Sequence, residues 1–156
     1  MAVIGEHRLT TTETSEQMNA ADMLAMIYTR HLGPDRIDQD AALAWVNTAL
    51  AIADAEQDPT KRAFYRAFMR NARALVVMHR GDLKASLALV EESIKIADDH
   101  LGERHELHRT VLLTNRARVL LALGHHDRAL PAFDEVLTRD PEYDALYFER
   151  AVAHKA

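Results

Sequence analysis

Gly81-Asp-Leu-Lys-Ala-Ser-Leu-Ala-Leu-Val-Glu-Glu-Ser-Ile-Lys-Ile-Ala97 and Gly124-His-His-Asp-Arg-Ala-Leu-Pro-Ala-Phe-Asp-Glu-Val-Leu-Thr-Arg-Asp140 align without a gap. Ser86 meets Ala129, Leu87 meets Leu130, Val90 meets Phe133, Ser93 meets Val136 and Ile94 meets Leu137. The apolar matches recur at helical spacing, so each stretch reads as a helix with one buried face that opens just after a glycine. Ile37 to Ala53 fits the same register through Ala42, Leu43, Val46, Ala49 and Leu50. Ahead of each glycine lies a further helix with a small residue seven positions back, Ala74 and Ala117. A small residue on each of two antiparallel helices lets their backbones approach closely. One such pair cannot bury its apolar face alone, so pairs stack. The fold class that follows is all-α, made of repeated antiparallel helix pairs.

Outward from this centre, breakers and caps divide the chain into seven predicted helices. The first starts near Thr14, where Gln17 completes a capping-box spacing, and stops at about His31 before Gly33-Pro34. The second starts near Asp38. Asp58-Pro59 is an N-cap followed by proline at the first helical position, and opens a third helix that ends at Gly81. A fourth covers about Asp82–His100 and ends at Gly102. A fifth runs from about Arg104 to Leu123, a sixth from about His126 to Arg139, and a seventh from near Glu142 to the end of the chain. Gly81, Gly102 and Gly124 are each expected to cap a helix in the left-handed conformation. Residues 1–14 read as a flexible N-terminal tail and 15–156 as one helical repeat domain.

The composition agrees. The chain has 156 residues, 48% of them apolar and 28% charged, with only 5 Gly and 4 Pro. That is the balance of one globular domain with few turns. The absence of cysteine excludes disulfides, thiolate metal sites and cysteine nucleophiles, and a cytoplasmic location is expected from it. The longest apolar runs, Met23–Tyr28 and Ala41–Val46, are too short to span a bilayer, so no membrane role is expected. The N-terminus lacks the basic-then-apolar order of a signal peptide. The formal net charge is −5, which argues against nucleic acid as a partner.

Ala117, Gly124, Ala129, Phe133 and Pro141 sit at the characteristic spacing of a tetratricopeptide repeat, which residues 110–143 resemble. Residues 67–109 resemble a longer variant of the same unit, 43 residues against 34. The first pair matches only in its second helix, and Asp144 opens a partial fourth unit with Ala151 at the small position. The resemblance implies a right-handed α-solenoid of about three repeats plus a partial fourth. Its packing positions would be Ala74, Ser86, Ala117, Ala129, Phe133 and Pro141. It also implies a concave groove that binds a protein or peptide segment, and no catalysis or cofactor. Similar repeats serve peptide-responsive bacterial regulators as sensing modules, but no helix-turn-helix output domain is visible in this sequence. The module is therefore read first as a non-catalytic scaffold.

Site candidates are what the resemblance implies, since Asn and basic residues on the first helices of this family often hold the backbone or terminal carboxylate of a bound peptide. Asn71 and Asn115 lie on the first helices of successive repeats. A side-chain amide both donates and accepts, so it can hold an extended backbone. Arg70, Thr114 and Arg118 lie nearby and complete the expected peptide-binding set; the competing reading makes the asparagines half-exposed helix polars. Residues 60–90 carry a net charge of +6, with Arg62, Arg66, Arg70 and Arg73 spaced along one helix face. That stripe would receive an acidic segment, unless acids on adjacent helices pair with it. His100, His105, His108, His125 and His126 invite a metal-enzyme reading. No third ligand is fixed by spacing, however, and no catalytic or metal residue is assigned. Met18, Met23 and Met26, with Tyr28, suggest an adaptable hydrophobic groove, but at this spacing they are expected to fill the core, as are Phe64, Phe68, Leu75 and Trp45. The last helix presents Tyr147, Phe148 and Val152 with no second helix following in the sequence. An uncovered apolar face marks an interface, so a homodimer through that helix, or a missing next helix, is expected.

Overall fold

The computed structural model describes residues 11–31 and 37–155. Among them are seven α-helices and no strand: α1 Thr11–Met26, α2 Gln39–Ala55, α3 Pro59–His79, α4 Leu83–His100, α5 Glu106–Ala122, α6 His126–Arg139 and α7 Asp144–Lys155. Each helix packs antiparallel on its neighbour in the chain. The first helices of successive pairs, α1, α3 and α5, also touch one another. This is an all-α helical repeat solenoid. Its apolar interior is a row of clusters at successive interfaces. Ala25, Ala42, Val46 and Val76 join α1, α2 and α3, with Met18, Ala49, Ala53 and Met69 beside them. Ala63, Ala97 and Leu112 join α3, α4 and α5; Ala117, Ala129, Phe133 and Leu146 join α5, α6 and α7. Contacts between neighbours only are what a stack of repeats requires.

Caps set the helix ends. Asp38 accepts hydrogen bonds from the backbone N–H of Asp40 and Ala41, and Asp58 from those of Thr60 and Lys61. The Lys61 and Thr60 bonds hold the Asp58 carboxyl below the usual carboxylate range. After α3, Gly81 has φ 88°; its N–H bonds the Met78 carbonyl at 2.9 Å and Asp82 N–H bonds Val77 at 3.2 Å. After α5, Gly124 has φ 75°, with the same pair of bonds to Leu121 at 2.9 Å and from His125 to Leu120 at 3.0 Å. Two copies of one left-handed cap thus close the two best-matched first helices. Gly102 departs from the expectation: its φ is −85° and ψ −175°. The preceding Leu101 turns extended and is buried against Ala97 and Leu112, so the chain leaves α4 without a left-handed residue. A single 3₁₀ turn, Glu103–His105, then leads into α5.

Other boundaries shift as well. Helix α1 begins at Thr11, so residues 11–14, expected in the tail, are helical; Thr10-x-x-Glu13 has the same capping-box spacing as Thr14-x-x-Gln17. Residues 1–10, the rest of the expected tail, lie outside the described residues, as does Gly33-Pro34. Helix α1 continues into a π-helical turn, Ile27–His31. There the Thr29 hydroxyl donates to the Ala25 carbonyl at 2.7 Å, and Gln39 at the start of α2 donates to the Thr29 carbonyl. Met18 is fully buried and Met26 half-buried, but Met23 and Trp45, expected in the core, are exposed at 63% and 37%.

Candidate functional site

The packing residues come first, because they fix how the first helices line up. The Ser86 hydroxyl, on α4, donates to the Ala74 carbonyl, on α3, at 2.8 Å, and both residues are buried. In the next pair Ala117 and Ala129 are both fully buried in one cluster with Phe133. A small residue against a backbone carbonyl holds the two helices close. Pro141 lies in the exposed turn before α7, where its carbonyl accepts the Tyr147 hydroxyl at 3.2 Å.

With the pairs set in this way, α1, α3 and α5 line a groove of about 410 Å³. Helix α1 contributes Asp22 and Met26. Helix α3 contributes Phe68, Asn71, Ala72, Leu75, Met78 and His79, and α5 contributes Val111, Asn115, Arg118 and Val119. At its floor the Asn115 amide nitrogen donates to the Asn71 amide oxygen at 2.9 Å, and both residues are buried. This bond ties α3 to α5 across the repeat boundary. It leaves the Asn71 amide nitrogen and the Asn115 amide oxygen outside that bond. Arg118 forms a two-pronged ion pair with Glu149 on α7, at 2.8 and 2.6 Å. Such a fork saturates the guanidinium's best donor geometry. Asp22 is half-buried, and burial raises its carboxyl above the usual range.

The five residues expected to hold a peptide are therefore divided. Asn71, Asn115 and Arg118 share the groove. Thr114 is buried, and its hydroxyl donates to the Thr110 carbonyl one turn back. Arg70 faces away from the groove, into a smaller cleft of about 210 Å³ with Arg62, Arg66, Ile96 and His100. There the arginine stripe meets acids: Arg66 pairs with Asp54, and Arg70 with Glu92 at 3.3 Å. Arg62 donates to the Glu56 carbonyl, and Arg80, further along the helix, pairs with Asp40. Two of the four stripe arginines, Arg66 and Arg70, thus pair with acids on neighbouring helices, Arg62 bonds a backbone carbonyl, and Arg73 makes no ion pair among the described residues, so the stripe is only partly neutralised.

The histidines separate. His108 is buried against the rings of Phe64 and Phe68, at 4.9 and 5.6 Å, and His105 lies 5.4 Å from Phe64. Burial, with a smaller push from His105, lowers the His108 pKa to about 4. Among the described residues no group of three His, Asp or Glu is placed to hold a metal ion.

Sequence reasoning placed Met26 and Leu75 in the core, where the structure has them lining the groove, and did not single out Asp22, Met78 or Val111. Helical phase carried a signal for the two on α3, since Leu75 and Met78 fall four and seven positions after Asn71. On α7, Tyr147, Phe148 and Val152 are exposed at 50%, 74% and 47%.

Stacked antiparallel pairs with a groove along their first helices define a helical repeat module of the kind generally used for protein–protein interaction. Residues 65–142 match the family model described as tetratricopeptide repeat, and the chain belongs to that family. No curated protein matches it. No helix among the described residues is long and apolar enough to cross a membrane.

Proposed function

We propose that this chain is a non-catalytic scaffold that binds a segment of a partner protein along the groove of α1, α3 and α5. The observation that carries the reading is the buried Asn71–Asn115 pair at the floor of a groove whose walls are largely apolar. Polar groups are costly to bury, and here they sit where an extended or helical backbone would meet them. Segments selected from a random peptide library on the wild type test it. Val111→Trp, at the groove rim, should abolish their binding, and Ala88→Arg, on the exposed side of α4, should leave it unchanged. Equal binding by all three proteins would refute the groove.

The exposed Tyr147, Phe148 and Val152 support a second contact, a homodimer through α7. Sedimentation should show a dimer for the wild type and a monomer for Tyr147→Glu/Phe148→Glu. A wild type that stays monomeric at high concentration removes this contact.

A further inference from the structure

The groove's charges limit what can lie in it. Its one strong cation, Arg118, is held by both oxygens of Glu149. An incoming carboxylate would have to displace an internal, well-aligned partner, at a local concentration no separate segment can match. The anion in the groove stands differently. Among the described residues no cation pairs with Asp22, which lies half-buried on α1 beside Met26. A carboxylate losing water without gaining a partner is a site of unmet charge, and the upward displacement of its pKa has burial as its cause. Around it the walls are apolar and include soft, unbranched methionine side chains, Met26 and Met78, which adapt to irregular apolar surfaces.

We infer that the segment held by this groove is apolar and carries one lysine or arginine, whose charge meets Asp22 while its apolar residues lie along Leu75, Met78 and Val111. The inference rests on the groove reading above and names the chemistry of its occupant. The basic group supplies what Asp22 lacks. The segment's backbone meets the Asn71 nitrogen and the Asn115 oxygen, which do not discriminate between side chains. Specificity for sign therefore comes chiefly from Asp22, with Glu149 acting indirectly by neutralising Arg118; His79 is the other titratable group of the groove.

The test uses the full chain and a random dodecapeptide display library. Selection on the wild type should enrich apolar peptides with one basic residue. In the best of them, exchanging that residue for Glu should weaken binding about tenfold, the scale of losing one partly desolvated pair and gaining a repulsion. Asp22→Asn removes a charge that burial already disfavours, so it should fold as well as the wild type. It should bind the basic and acidic peptides within about twofold of each other. Glu149→Gln should release Arg118 and shift selection toward acidic residues. Enrichment of acidic peptides on the wild type, or an unchanged Lys-over-Glu preference in Asp22→Asn, would overturn this inference while leaving the groove in place. Peptides whose binding ignores Val111→Trp would overturn the groove reading itself.

Discussion

Three glycines follow three helices in this chain, and alanine at each should act differently. At Gly81 and Gly124 the backbone has φ 88° and 75°, a region that costs an L-residue about 1–2 kcal/mol. An added Cβ would meet no atom within 4 Å at either site, so no steric clash enlarges that cost. Against it stands the reduced freedom of the unfolded chain, which favours alanine by about 0.4–1 kcal/mol. The net expectation is a loss of about 0.5–1.5 kcal/mol for Gly81→Ala and for Gly124→Ala. At Gly102 the backbone is extended at φ −85°, and a Cβ again meets nothing within 4 Å. Only the unfolded-state term remains, so Gly102→Ala should stabilise by about 0.4–1 kcal/mol. Thermal melts followed by circular dichroism should move by about 2–4 °C per kcal/mol for a chain of this length, downward for the first two and upward for the third. Equal destabilisation at all three sites would refute the reasoning, because it would mean that Gly102 also caps its helix in the left-handed conformation.

The Asn71–Asn115 bond predicts non-additivity. Asn71→Leu or Asn115→Leu alone should cost about 1–3 kcal/mol by stranding a buried amide, while the double variant should cost less than the sum of the two. Additive losses in denaturant melts would mean that the two side chains are not bonded. His108 predicts a pH dependence. Its pKa lies near 4 in the folded chain and near 6.5 when unfolded, so the unfolded state takes up its proton first as pH falls. Its contribution is whole above about pH 6.5 and is lost progressively toward pH 4, by about 2–3 kcal/mol. Comparison of the wild type with His108→Leu should show a shallower loss for the variant over that window, and parallel curves would contradict the burial argument.

The repeat was legible in the sequence because its determinants are local. Small residues at Ala74 and Ala117, glycines at fixed distances after them, and apolar faces at helical spacing together set the stacking without reference to distant contacts. The first pair was less legible. Ala25 and Ala42 make its tight contact seventeen positions apart, where the later pairs use twelve, and a π-helical turn lies between them. Gly102 misled for a related reason: the burial of Leu101, a tertiary effect, overrides the local cap signal. At the groove, the family resemblance brought Asn71, Asn115 and Arg118 forward, and all three line it. The resemblance did not identify what each side chain does, because Glu149 reaches Arg118 from 31 residues away. Asp22 carried no sequence signal either, since a lone acid on an amphipathic helix looks like any solvated one. The arginine stripe looked available in sequence and is half paired in space, because Asp54 on α2 meets Arg66 and Glu92 on α4 meets Arg70.

The groove as the partner-binding surface is tested most directly by hydrogen exchange of the full chain with and without a peptide selected on it. Slowed exchange along α1, α3 and α5 around Met26, Leu75 and Val111, with α2 and α4 unchanged on their outer faces, is the predicted result. Protection confined to α2 and α4, or to α7 alone, would contradict it.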